Sequence, residues 1–307
     1  VLEKDALLRI IASIVDDPHR VIASGGIVRI VNGSQVRDGV VQRIRLPRRL
    51  IEILQVIEYL RAFLIGRQAW AHFNLLTIIS GAFGIFRRDI CKAVGGFRVS
   101  AIGEDMDLVV RMHRYMLQKK QDYKISFVPD PVCWTEAPSS VKALARQRAR
   151  WQNGLADVLF RNRDMVFNPR CRLIGFVALP YQWLFEYIAP AVEALGWTSI
   201  ILAGILGALN IFFFVRFLIL GYLLATLISI GSVVLEEMTY HRYNDPKDLV
   251  MLIAACFLEM FPYRFMNSVW RLRGIWDHAM GRNNWLMIDR LGFRTTAGVA
   301  SNSETAG

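Results

Sequence analysis

Residues 197–235 read WTSIILAGILGALNIFFFVRFLILGYLLATLISIGSVVL and contain a single charge, Arg216. A helix that crosses the hydrocarbon core of a bilayer needs about 20 apolar residues. This stretch is therefore long enough for two such helices, joined by a tight turn near Asn210 or Arg216. Upstream, residues 173–194 are apolar but interrupted by Pro180, Glu186, Pro190 and Glu193, and read as a kinked span or an interfacial helix. Downstream, residues 249–265 form a shorter candidate that carries Glu259. Carboxylates in or near apolar segments are functional candidates by default, which singles out Glu186, Glu193 and Glu259. Arg161, Arg163, Arg170 and Arg172 precede the set, and Arg264, Arg271, Arg273, Arg282, Arg290 and Arg294 come after it. Basic flanks face the cytoplasm, so both ends lie on that side and the number of spans is even. Four spans satisfy this, as do two spans with two interfacial helices.

The whole-chain arithmetic agrees. The 307 residues are 54% hydrophobic, and 37 basic against 26 acidic residues give a net charge of +11. Mean hydropathy is +0.32. A disordered chain would be apolar-poor, and an ordinary soluble domain is less apolar. A basic chain this apolar points to a lipid bilayer and not to nucleic acid. Cys91, Cys133, Cys171 and Cys256 are far apart, which excludes a disulfide scaffold or thiolate zinc site and fits a reducing compartment. The five histidines form no metal-binding pair. The chain begins at Val1 and its first methionine is Met106, so it reads as lacking its N-terminus.

Up to about Arg172 the apolar runs are short and repeatedly broken by charge, the pattern of a water-facing α/β domain. Residues 7–15 are apolar at helical spacing. Residues 21–23 and 27–31 read as two β-rich runs separated by Gly25-Gly26, with a turn at Asn32-Gly33. Residues 50–64 predict an amphipathic helix closed by Gly66. Residues 75–79 predict a short strand, 105–117 a helix, and 125–128 a strand ending at Pro129-Asp130-Pro131. Ser139 or Ser140 can cap a helix running through Trp151. The division is a domain over 1–168 and membrane or interfacial helices with a basic tail over 169–307, of which 300–307 are frayed.

Three motifs could carry chemistry. Glu104-Asp105 opens a helix after the Gly95-Gly96 loop. Acidic residues are favoured there by the helix dipole alone, but a carboxylate fixed at a loop-to-helix junction can also act as a general base on a hydroxyl. Gln147, Arg150 and Trp151 lie at i, i+3 and i+4 and share one helical face with Arg146. An amide, a planar cation and an indole so placed could hold a phosphate and a sugar ring; a basic helix with an interfacial tryptophan anchor has the same composition. Ser80-Gly81-Ala82 comes after an apolar run, and such small residues allow a ligand close to the backbone or simply a tight turn. Asp16-Asp17 ends a helix at a proline loop and is not read as a metal pair.

These motifs, in this order and succeeded by apolar helices, resemble the membrane-embedded family 2 glycosyltransferases, which include cellulose, hyaluronan and poly-N-acetylglucosamine synthases. The counterparts are residues 80–88, Glu104-Asp105 and Gln147–Trp151. The resemblance implies the C-terminal part of an α/β GT-A-like glycosyltransferase domain followed by an α-helical transmembrane domain. It implies inverting transfer of a sugar from a nucleotide diphosphate, usually a UDP-sugar, to a hydroxyl of a glycan or lipid-linked acceptor. Asp105 would be the general base with Glu104 its motif partner. Gln147, Arg148, Arg150 and Trp151 would bind the diphosphate and acceptor sugar, and Ser80, Gly81 and Ala82 would line the acceptor side. A divalent metal, Mg or Mn, would be bound by an Asp-x-Asp upstream of Val1, so no metal ligand is assigned here and the chain alone is expected to be inactive. The implied location is the bacterial inner membrane, multi-pass, with the catalytic domain cytoplasmic. Processive polysaccharide synthesis is the leading reading. A non-processive transferase acting on a lipid-linked or protein acceptor shares the motifs, and a transporter or receptor is the reading from another class.

Overall fold

Strand β1 (Val21–Ile30) is buried at all ten positions, because both of its edges are hydrogen-bonded and both of its faces are covered. In the computed structural model, which describes residues 1–243 and 245–282, β1 is the middle of a three-stranded mixed sheet. It runs antiparallel to β4 (Gly84–Phe86) and parallel to β5 (Lys124–Thr135). A small hairpin, β2 (Gln35–Arg37) with β3 (Val40–Arg43), stands apart from it. Its turn is Asp38-Gly39, both residues with positive φ, as a tight hairpin requires. The Asn32-Gly33 turn only leads the chain away from β1.

Three expectations about the sheet need correction. Gly25-Gly26 does not split a strand. A Cβ on Gly26 would lie 2.2 Å from the Phe83 ring, so the glycine admits that ring while the strand continues. The register slips between Gly26 and Ile27, opposite Pro129-Asp130-Pro131. The prolines sit in the resulting bulge, where no ladder donor is needed, and β5 runs on to Thr135. Residues 75–79 form no strand, since β4 and β5 already occupy both edges of β1. Leu75, Leu76 and Ile79 are still buried.

The helices extend beyond their expected ends. α1 is Ala6–Val15. α2 (Leu50–Tyr59) passes into a π-helical segment, Leu60–Arg67, and then α3 (Gln68–His72). Gly66 therefore does not close it; its φ is not positive, so it makes no left-handed cap. α4 is Arg88–Ala93 and α5 is Glu104–Lys119. α6 (Val141–Arg161) starts at Ser140, whose hydroxyl accepts the Ala143 N–H at 3.2 Å, and runs well past Trp151.

Among the described residues three helices, not four, are long and apolar enough to cross a membrane: α7 (Ile174–Ile205), α8 (Ile211–Thr239) and α9 (Pro246–Ala279). Residues 173–194 do not make a helix of their own; they merge into α7. Asn210 caps α8, its side chain accepting the Phe213 N–H. α9 is broken at Phe261, which is extended. Its first half meets α2 and its second half packs along α6. A Cβ on Gly274 would lie 2.3 Å from the Ala149 carbonyl oxygen, so only glycine allows this approach.

The α/β part and the helices share cores. Ile53, Ile57 and Leu144 pack with Val233, Leu252 and Cys256, and Met106 and Val110 pack with Ile174 and Leu179. A buried ion pair, Arg29 with Glu236, joins β1 to α8; Nη2 lies 2.7 Å from Oε2. The three carboxylates flagged in apolar segments each meet an arginine: Glu186 with Arg271, Glu193 with Arg264, and Glu259 with Arg61. Arg290, Arg294 and the tail over 300–307 lie outside the described residues.

Candidate active site

A cavity of about 860 Å3 opens where the 80–82 loop, the start of α5, one face of α6 and the second half of α9 meet. α5 enters this place because Gly103, its N-cap, lies against Gly154 of α6. A Cβ on Gly103 would stand 3.1 Å from the Gly154 carbonyl, and one on Gly154 would stand 3.1 Å from the Gly103 nitrogen. Two glycines thus set the distance between the acidic motif and the basic helix.

The first turn of α5 divides its acidic residues. Glu104 and Asp105 line the cavity. Asp105 Oδ2 accepts the Gly81 N–H at 3.1 Å, and Oδ1 accepts the Met106 N–H at 2.8 Å. Both oxygens are held by backbone donors, which fixes the carboxylate beside the small-residue loop and leaves lone pairs for a further hydrogen. Asp107 points the other way. It is fully buried between Arg98 (3.2 Å) and Arg111 (2.8 Å), and Arg111 also holds the carbonyl of Gly96 at 2.7 Å. Asp107 therefore secures the Gly95-Gly96 loop, while Asp105 faces open space.

Ser80, Gly81, Ala82, Gln147, Arg148, Arg150 and Trp151 all reach the cavity wall with Glu104 and Asp105. Every residue proposed for the site from sequence is thus brought to one place. Their situations differ. Trp151 is 43% exposed, whereas Arg148 is 4% exposed. Arg148 gives Nη2 to Glu58 at 2.8 Å and stacks 4.4 Å from the Trp151 ring centre. It lies behind the tryptophan, held by protein groups, and is placed to support the indole more than to touch a ligand. The Gln147 side-chain oxygen Oε1 is buried and accepts no hydrogen bond among the described residues, so it is available to a ligand hydroxyl or N–H.

Several cavity residues escaped the sequence reading, among them Arg67, Asn267 and Arg271. Arg67 comes from the π-helical segment, a geometry that recurs at functional sites. Its guanidinium lies 3.8 Å from the Phe63 ring centre, and its buried Nη1 has no hydrogen-bond partner among the described residues. Burial pulls its pKa down to about 10, against the opposing attraction of the Asp105 carboxylate. The nearest signal is an arginine four residues after Phe63, one of several charged residues in a helix that also carries Glu58 and Arg61. Asn267 and Arg271 arrive on α9. Nothing local marks this asparagine, which stands between Arg264 and Arg271 with Ser268 beside it, as facing a cavity built mostly from residues remote in sequence. Arg271 is tied to the Gln152 side chain at 2.9 Å.

Among the described residues, no three His, Cys, Asp or Glu side chains come together as a metal cage. No chemical step is routed through the divalent ion that the family resemblance implies.

The chain is similar in sequence to known proteins. The sequence model of a family described as "Glycosyl transferase family group 2" matches residues 64–234. A poly-beta-1,6-N-acetyl-D-glucosamine synthase of Staphylococcus epidermidis is 31% identical over 122 residues, 39% of this chain and 28% of that protein. The enzyme of the same name from Staphylococcus aureus is 30% identical over the same length and shares of the two chains. The chain thus matches less than a third of the length of these curated relatives. A solved mannosyltransferase of Pyrobaculum calidifontis, in complex with GDP-Man and Mn2+, shares 15% identity. It has a TM-score of 0.41, covering 91% of this chain and 59% of that one.

Proposed function

The chain belongs to glycosyl transferase family group 2, whose model matches more than half of it, and from that premise we propose that it transfers a sugar from a nucleotide diphosphate sugar to an acceptor hydroxyl. Its α/β part is the GT-A-like portion, and membrane-length helices come after it. One observation carries the mechanism. A carboxylate pinned by two backbone N–H groups faces, across one cavity, an amide, an arginine and a half-exposed tryptophan.

In the proposed step the acceptor is seated on Trp151, and the free side-chain oxygen Oε1 of Gln147 accepts from one of its hydroxyls. Asp105 takes the proton of the attacking hydroxyl, which is a weak nucleophile until deprotonated. That oxygen forms a bond to the anomeric carbon from the face opposite the diphosphate. The bond between the anomeric carbon and the phosphate oxygen breaks, and the electron pair leaves with the nucleoside diphosphate. The configuration at the sugar inverts, since there is one displacement. Arg150 and Arg67 neutralise the charge that develops on the leaving group, where fixed cations in a partly dry site act most strongly. The donor in this reading is a UDP-sugar, the acceptor is a growing glycan, and transfer is processive.

The membrane arrangement belongs to the same reading. α7 and α8 cross the bilayer one after the other, while α9, packed on the α/β part along both its halves, lies at the interface. Two crossings put both basic flanks on one side, and we place residues 1–168 and the catalytic cavity in the cytoplasm of a bacterium, at its inner membrane. Membranes bearing the full-length protein, supplied with each of a panel of radiolabelled UDP-sugars, should convert one of them into long polymer. Products one sugar longer than the acceptor would replace processive synthesis by single transfer, and no incorporation from any nucleotide sugar would remove the reading.

A further inference from the structure

Two polar rungs join α2 and its π-helical continuation to the break in α9. Glu58 and Arg61 are three residues apart on one side; Glu259 and Tyr263 are four apart on the other. Arg61 Nη1 lies 2.6 Å from Glu259 Oε1, and Ser229 of α8 donates to Glu259 Oε2 at 2.5 Å. The Tyr263 hydroxyl donates to Glu58 Oε2 at 2.6 Å. The second rung does not end at Glu58. The same oxygen accepts from Arg148 Nη2 at 2.8 Å, and the Arg148 guanidinium lies under the Trp151 ring.

Exposure falls away along this relay. Trp151 is 43% exposed at the cavity, while Arg148 is 4% and Tyr263 3% exposed behind it. One face of the indole is therefore backed by a cation whose position depends on one carboxylate oxygen shared by two donors. A guanidinium over an indole face is held weakly by the ring itself. Its direction is set by the charge-assisted hydrogen bond to Glu58, and Glu58 in turn is oriented by Tyr263. Glu259, clamped between Arg61 and Ser229, keeps the α9 break in register so that Tyr263 meets Glu58.

We propose that Tyr263 is a positioning residue for Trp151, acting through Glu58 and Arg148, so that the α9 break at the membrane surface sets the platform on which the acceptor sugar stacks. This rests on the proposed reading of Trp151 as a sugar-binding face, and the experiment separates the two. Tyr263→Phe removes one oxygen and keeps the ring in its pocket, so the chain is expected to fold. Tyr222→Phe is the control: its hydroxyl donates to the Phe257 carbonyl at 2.9 Å, away from the cavity. The full-length protein is labelled with 5-fluorotryptophan, and the Trp151 resonance is assigned by its loss in Trp151→Phe.

Tyr263→Phe should shift or broaden the Trp151 line and leave that of Trp134, buried in β5, unchanged. The acceptor KM should rise about fivefold, the loss expected of one hydrogen bond in the relay, while the donor KM stays within about twofold. Tyr222→Phe should change none of these. A Trp151 line and acceptor KM that match those of Tyr222→Phe would overturn the proposal. So would a fall in turnover without any change at Trp151, since that is a packing effect alone. A shifted Trp151 line in a protein that transfers no sugar would keep the coupling and remove only the glycosyltransferase reading.

Discussion

Replacing Asp105 by asparagine separates the shape of the side chain from its charge. The carboxylate accepts two backbone donors, Gly81 N–H at 3.1 Å and Met106 N–H at 2.8 Å. An amide oxygen can satisfy one of them, and the NH2 must then face the other N–H. One lost acceptor at a partly buried backbone donor costs about 1–2 kcal/mol. A second cost falls on Arg67, whose buried guanidinium loses the attraction of the Asp105 carboxylate. Both costs are small beside the catalytic one. A positioned base contributes about a hundred- to ten-thousandfold in rate, so sugar transfer by Asp105→Asn should fall by that factor. Nucleotide binding should hardly change, because Arg150 and Arg67, the two cations assigned to the diphosphate, are kept. The assay is incorporation of labelled sugar by membranes with matched amounts of protein, alongside nucleotide binding and thermal unfolding in detergent. Adding Arg67→Met to Asp105→Asn should recover part of the lost stability and none of the activity. Turnover within about tenfold of the unaltered protein would refute the assignment of the base, since no placed general base is worth so little.

The other predictions concern the scaffold. Gly274→Ala drives a methyl to within 2.3 Å of the Ala149 carbonyl, so α9 and α6 must part. Overpacking of this kind costs about 1–3 kcal/mol, and the unfolding temperature should drop; Gly196→Ala, with nothing within 4 Å, should be neutral, and equal behaviour of the two would deny the close approach. His113 is buried, with ring nitrogens 2.7 Å from the Tyr123 hydroxyl and 2.9 Å from the Leu76 carbonyl, and burial holds its pKa down from 6.5 to about 4. The fold thus favours the neutral ring: its stabilising effect is complete above pH 6.5 and is lost as the pH falls through that value to about 4, an effect of about 3 kcal/mol. His113→Gln should flatten this part of the stability profile, and a profile that keeps its slope would place the titration elsewhere.

Local signals in the chain identified what local physics decides. α6 announces itself through Ser140 as cap and the apolar-polar alternation behind it. α5 does so through acidic residues at its start. The apolar run over 197–235 contains α8 and the end of α7, with the break at Asn210, where a side-chain cap begins the next helix. Where the reading failed, a partner remote in sequence had decided the outcome. Gly25-Gly26 looks like a strand break until Phe83 is seen lying against it. The 75–79 segment has strand composition but finds β1 already paired on both sides. Pro129 and Pro131 should end a strand, yet a bulge lets β5 continue beyond them.

The site divides on the same principle. Asp105, Gln147, Arg150 and Trp151 were legible because their spacing within one helix or one turn dictates a shared direction. Residues that act by being brought in from elsewhere have no such spacing. Arg67, Asn267 and Tyr263 stand among other polar and charged residues, such as Arg61, Gln68, Arg264 and Ser268, and nothing in their spacing tells them apart. Glu58 and Arg148 show the intermediate case. The resemblance put Arg148 among the substrate-binding residues, alongside Gln147 and Arg150. Helical periodicity already puts it about 100° from Gln147, but what lies in that direction could only come from the fold. There it meets a carboxylate from α2 and a hydroxyl from α9, and a residue read as a ligand for substrate becomes the support of one. A charged residue inside a binding motif is therefore assigned by where its charge is neutralised: by the protein, as for Arg148, or, where a buried donor is left open as at Arg67, by the molecule that enters.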